Sequence, residues 1–164
     1  MRGRRPGAFR VRAARGADAA AVARVMRAAV RGVAAGALAP SLRAAWASLP
    51  PLYHLWAMSA GGERYLVAER GGRLAGYAAW RGAELTAVFV RPSAGGRGVG
   101  AALVAAVERQ AGKAGVRSLR VLAAAPAIGF YARLGFRPGR AARAPLPGGL
   151  ALPARWMRKP VARG

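Results

Sequence analysis

Two kinds of group in this chain could do chemistry: the backbone amides of a glycine-rich turn, and a very small set of titratable side chains. The turn lies in the run Val88-Phe89-Val90-Arg91-Pro92-Ser93-Ala94-Gly95-Gly96-Arg97-Gly98-Val99-Gly100-Ala101-Ala102-Leu103. An apolar, strand-like stretch stops at a proline, glycines follow, and an alanine- and leucine-rich stretch with helical spacing begins. Such a turn aims several N–H groups into one small space. The helix behind it adds its own unpaired N–H groups and the positive end of its dipole. The product is an anion site, most often for phosphate. The titratable set is Asp18, Glu63, Glu69, Glu84, Glu108 and one histidine, His54; there is no cysteine. Disulfides, thiolate metal sites and a cysteine nucleophile are thereby excluded, and a single histidine argues against a histidine-based metal site. Proton transfer falls to one of five carboxylates, His54 or a tyrosine.

The elements that must hold these groups follow from periodicity. Residues 1–7 read as a basic flexible tail. Residues 9–13 alternate as a strand. Residues 16–35 form a long helix with Val22, Val25, Met26, Ala29, Val30 and Val33 on one face, Asp18 in the first turn and Gly36 as the stop. A shorter helix over 40–49 ends at Pro50-Pro51, and residues 50–63 read as irregular. Strands over 64–69 and 73–81 flank the tight turn Gly71-Gly72, and a third covers 84–91. The helix after the glycine turn spans 98–114, a strand 117–123, a short helix 126–134, and two last strands 136–144 and 150–158. The order is β-α-α-β-β-β-α-β-α-β-β, with no internal repeat and no linker.

A chain of 164 residues, 54% of them hydrophobic, is long enough to bury a core and is most simply one domain, here residues 8–164. No apolar run reaches the roughly 20 residues of a membrane helix, and the basic N-terminus lacks the apolar stretch of a signal peptide. A cytoplasmic protein without a membrane partner is expected. The net charge is +23, and of 28 basic residues only Lys113 and Lys159 are lysine. There is no asparagine, one isoleucine (Ile128) and one threonine (Thr86). Two readings stay open: codon bias in a GC-rich genome, or a nucleic-acid partner. Either way the surface attracts polyanions non-specifically at low salt.

Three phosphate sites compete for the glycine turn. A Walker A loop needs Gly-Lys-Ser/Thr, which is absent. Gly96, Gly98 and Ala101 satisfy G-x-G-x-x-A, but the next strand carries no acidic residue for a ribose. The third candidate fits best: element order and two motifs resemble the GCN5-related N-acetyltransferases, the GNAT superfamily. That family's loop reads Gln/Arg-x-x-Gly-x-Gly/Ala, and here Gly95-Gly96-Arg97-Gly98-Val99-Gly100 stands in the window. Both downstream glycines match, and Gly95 replaces Gln/Arg. The second motif, Ala127-Ile128-Gly129-Phe130-Tyr131-Ala132-Arg133-Leu134-Gly135-Phe136, is similar to the family's A-I-x-F-Y-x-x-L-G-F. The family's upstream asparagine is missing, with Ala124, Ala125 and Pro126 in its place. The resemblance covers nearly the whole chain.

It implies an α/β (α+β) single-domain fold: a central mixed, mostly antiparallel sheet of about seven strands flanked by about four helices. It also implies acetyl transfer from acetyl-CoA to a primary amine of a small molecule or peptide, without a metal. Gly95, Gly96, Arg97, Gly98, Val99, Gly100 and Ala101 would cradle the pyrophosphate. Val88, Phe89 and Val90, on a strand splayed by a bulge, would pair with the pantetheine arm, with Phe130 and Tyr131 beside the cofactor. An amine with a pKa of about 10.4 is only about one part in a few thousand neutral at pH 7, so a base is needed. Glu84, eleven residues before Gly95, stands where family members carry a glutamate base, and burial there would tune it for proton transfer near neutral pH; the other reading pairs it with an arginine. His54 is the second base candidate or a packing residue. Tyr131 matches the family's general acid for the thiolate, or is a core aromatic. Trp46, Tyr53, His54, Trp56, Trp80 and Trp156 are candidates for an acceptor pocket or for core and lid. A +23 chain repels polycations, which favours an acceptor with its own negative charge. The competing class is a non-catalytic module of this fold that binds CoA or nucleic acid. Monomer and homodimer are both compatible with the sequence.

Overall fold

The structure, a computed structural model, describes residues 8–162; the N-terminal tail expected over 1–7 lies outside them. Strand β1 (Arg10–Ala13) leads through a 3-10 turn (Gly16–Asp18) into helix α1 (Ala19–Arg31), followed by α2 (Pro40–Trp46) and α3 (Pro51–Ser59). Strands β2 (Arg64–Arg70), β3 (Arg73–Arg81) and β4 (Glu84–Val90) form a meander. Then come α4 (Val99–Lys113), β5 (Ser118–Ala124), α5 (Ile128–Arg133), β6 (Arg137–Pro145) and β7 (Ala151–Pro160).

The seven strands make one sheet in the order β1-β2-β3-β4-β5-β7-β6, antiparallel everywhere except between β4 and β5. Period-2 alternation divides the central strands between two cores. Leu66, Ala78, Leu85, Val121 and Met157 face one side, under Leu103, Val104 and Val107 of α4. Tyr65, Val67, Tyr77, Ala79 and Leu152 face the other, under Val22, Val25, Met26 and Val30 of α1. The expected fold class and sheet are what the structure shows, with five helices rather than about four. The added one is α3, in the stretch expected to be irregular. Pro50-Pro51 reads as a break, but proline suits the first position of a helix, and Pro51 starts α3 there. Helix α1 is shorter than expected at its C-terminal end. It stops at Arg31, where Arg43 of α2 closes it: Nη1 donates to the carbonyls of Val30, Arg31 and Val33 at 3.1, 3.0 and 2.7 Å.

Candidate active site

Strands β4 and β5 pair only at Glu84–Arg120 and Leu85–Val121. Beyond Leu85 they diverge, so the β5-facing backbone edge of β4 is unpaired by β5 along Thr86–Val90. A bulge at Thr86 accompanies the divergence: Ala79 pairs with Ala87 and Trp80 with Leu85, which leaves Thr86 as the extra residue. The splay opens a cleft of about 570 Å³ lined by Glu84, Thr86, Val88, Phe89, Leu122 and Tyr131, with Tyr53, His54, Glu63 and Trp46 from the helical side. An extended ligand inserted here would meet a strand edge with free hydrogen-bonding groups, an arrangement known from β-strand addition.

At the C-terminal end of β4, a 3-10 turn (Pro92–Ala94) leads into the glycine turn. Gly96 and Gly98 have φ of +69° and +75°, in the left-handed region that L side chains rarely adopt. Gly98 caps α4, and its carbonyl takes the Ala102 N–H at 3.0 Å. The N–H groups of Val99, Gly100 and Ala101 therefore have no acceptor within the helix. Gly95, Gly96, Arg97 and Gly98 are exposed. The turn thus offers what a pyrophosphate needs: unpaired amides, a helix N-terminus and a guanidinium. Gly100 serves a second purpose, because a Cβ there would lie 2.9 Å from the Phe130 ring. The Phe130 side chain packs against the start of α4 and is not part of the cleft wall.

Tyr131 on α5 is buried, its ring set edge-on to Phe130 and Phe136. Burial pushes its hydroxyl above the ordinary tyrosine range, so it stays protonated at neutral pH, and the residue lines the cleft. Glu84 also reaches the cleft, but not in the buried setting expected of it. Its side chain is 30% exposed, and its Oε2 accepts from Nε and Nη2 of Arg120 at 3.1 and 2.9 Å. No spacing in the sequence links residues 84 and 120; register alone does.

His54 lies on the buried face of α3 at 1% exposure. Its Nδ1 is 3.4 Å from the Tyr65 hydroxyl, and its Nε2 has no partner. Desolvation lowers it from 6.5 to about 4, so it is neutral at pH 7. Glu63, which sequence reasoning passed over, also lines the cleft. It is the one carboxylate without a salt bridge among the described residues. The aromatic candidates divide: Trp46 and Tyr53 line the cleft, Trp56 is 55% exposed, Trp80 is buried in the α4-side core under Arg64, and Trp156 lies outside the cleft under Arg120.

The fold that holds this cleft is shared with known structures. A GCN5-related N-acetyltransferase from Rhodopseudomonas palustris superposes with a TM-score of 0.86 at 26% identity, covering 97% of this chain and 99% of that one. Two further structures share the fold at lower identity. The PaiA N-acetyltransferase of Thermoplasma acidophilum in complex with coenzyme A has a TM-score of 0.75 at 19% identity, covering 93% and 99%. A phosphinothricin acetyltransferase of Sinorhizobium meliloti in complex with acetyl-CoA has a TM-score of 0.66 at 22% identity, covering 95% and 90%. No curated relative matches the sequence. The profile of the acetyltransferase (GNAT) family matches residues 35–136, well over half of the sequence, and the chain belongs to that family.

Proposed function

We propose that the protein transfers an acetyl group from acetyl-CoA to a primary amine of a small molecule or peptide. The observation that carries this reading is strand β4, whose unpaired edge along Thr86–Val90 borders the cleft lined by Tyr131 and whose C-terminal end leads through the glycine turn to the unpaired amides at the start of α4. The reaction forms a C–N bond and breaks a C–S bond. The attacking ammonium loses one proton before attack and a second from the tetrahedral intermediate, and the departing thiolate gains one. Tyr131 supplies the thiolate proton from its hydroxyl and is restored by the second nitrogen proton, so that one proton leaves to solvent overall. Glu84 receives the first through Oε1, the oxygen that Arg120 leaves unbonded. Binding both reactants in one cleft provides much of the acceleration, since holding them together replaces a bimolecular encounter.

Calorimetry with acetyl-CoA at about 0.3 M salt tests the cofactor site, because that salt screens loose attraction to the arginines. Saturable one-to-one binding is expected. Turnover is then read by thiol release on a panel of amines, an assay without protein background in a chain that has no cysteine. Glu84→Gln and Tyr131→Phe should each lower turnover by roughly 10²–10⁴-fold with acetyl-CoA binding unchanged. An unaltered pH–rate profile in Glu84→Gln would remove it as the base. Binding without turnover on any amine would favour a non-catalytic module.

A further inference from the structure

Beyond the mouth of the cleft, the sheet carries a row of side chains that its register makes unavoidable. Glu84 pairs with Arg120, Arg120 with Arg158, and Arg158 with Arg137, across β4, β5, β7 and β6 in turn. Directly paired residues project from the same face, so the row is one glutamate followed by three arginines. Alternation puts Arg120 on the same face as Leu122 of the cleft wall, and Trp156, the partner of Leu122, beside Arg158. The row is therefore an outward continuation of the cleft floor. Like charges set directly opposite one another destabilise a sheet. Glu84 offsets Arg120 alone: among the described residues Arg158, Arg137 and Arg140 have no carboxylate partner. Two hollows of about 430 and 480 Å³ lie over the row, with Arg120 and Arg158 common to both. The first is completed by Arg137, Pro138, Gly139, Arg140, Trp156 and Met157, and the second by Arg81, Gly82, Ala83, Glu84 and Ser118. Arg120 is held in place by Glu84 on one side and by the Trp156 ring, 5.0 Å from its guanidinium carbon, on the other.

We infer that this row is an oxyanion subsite, which holds a phosphate or carboxylate group of the acceptor while its amine enters the cleft. Strands lie about 4.8 Å apart, so the row from Arg120 to Arg137 spans roughly 10 Å and starts beside Glu84. Guanidinium forks match phosphate and carboxylate oxygens in pairs. The general charge of the chain draws anions to every face. This row adds two unneutralised guanidiniums, Arg158 and Arg137, set by strand register beside the anchored Arg120 and next to the place where an amine would react. The assignment of the anion to the acceptor rests on the acetyl-transfer reading; the subsite itself does not.

The test is calorimetric binding of O-phosphoethanolamine, β-alanine and propylamine at 0.15 M salt, with acetyl-CoA titrated separately. The proteins are the wild type, R137A/R158A, and R24A/R31A, which removes the same charge from exposed positions on α1. The wild type should bind at least one of the two anionic amines one-to-one and propylamine no more than about a tenth as tightly. R137A/R158A should weaken that binding about tenfold or more, with R24A/R31A and every acetyl-CoA titration unchanged. The stronger of the two anionic amines identifies phosphate or carboxylate as the group held. Three results overturn the subsite: no binding of either anionic amine, equal weakening in both double variants, or propylamine binding as well as the anions. If the anions bind as expected but acetyl-CoA does not, the acetyl-transfer reading fails and the subsite stands.

Discussion

His54 makes stability depend on pH between its ordinary value of 6.5 and its lowered value in the folded protein. Its ring is packed edge-on against Tyr53, Tyr65 and Tyr77, at centroid distances of 5.4, 6.1 and 5.8 Å. No carboxylate is hydrogen-bonded to it; the charged residues that share its cleft are Glu63, Arg81 and Glu84. Desolvation holds the folded form at about 4, against 6.5 in the unfolded chain. The unfolded state therefore binds the proton first, and stability falls as pH drops from 6.5 toward 4. With these two values, linkage gives a loss of about 2 kcal/mol between pH 7 and pH 5, and about 3 kcal/mol once both forms are protonated. Asp18 does not interfere. Arg12 and the Arg15 N–H hold its carboxyl below its usual range, so its contribution is lost only at more acidic pH. The assay is urea unfolding at pH 7 and pH 5 in wild type and His54→Gln, which keeps a polar group toward Tyr65 but cannot titrate. With a urea slope of about 2 kcal/mol/M, the wild-type midpoint should fall by about 1 M while the variant stays flat. A wild-type midpoint that does not move, or a variant that moves equally, would refute the reasoning.

Arg43→Ala should destabilise the protein by about 1–3 kcal/mol, because three carbonyls at the end of α1 lose their donor; Arg43→Lys should recover only part of this, as read by thermal unfolding. Gly100→Ala pits a gain in helix propensity of up to about 1 kcal/mol against overpacking of about 1–3 kcal/mol from a Cβ placed 2.9 Å from Phe130. The net should be a lower melting temperature, and adding Phe130→Leu should relieve it.

Where contacts are local, the fold was legible from residue order. The meander follows from alternation and Gly71-Gly72, the long helices from their apolar faces, and the amide-rich turn from its glycines. Helix α3 was not legible, because it carries no charged residue and begins at a proline that equally well ends a helix. Its burial of His54 and exposure of Leu52 and Trp56 depend on how it packs against α1, which turns the His54 ring toward Tyr65 of β2 and Tyr77 of β3. At the site, Tyr131 lies in the cleft wall and the loop glycines form the turn ahead of α4. The environment of Glu84 was hidden, since its arginine partner is 36 residues away and becomes a neighbour only through the parallel β4–β5 pairing. Glu63 carries no motif at all; only the folded cleft sets it apart from the other carboxylates. A bulge in this strand followed from the family resemblance, but its position at Thr86 did not, because one extra residue leaves no mark on a short alternating run.

The divergence of β4 and β5 also divides the molecule mechanically. Two strand groups, β1 to β4 and β5 to β7, share only two residue pairs of main-chain hydrogen bonding, with α4 bridging them on one face. Amides on either side of this seam should open together in hydrogen exchange, ahead of the interior of each group. A ligand lying along the free edge of β4 would act as a splint across the seam. Its binding should slow exchange on both sides at once and raise the melting temperature with ligand concentration.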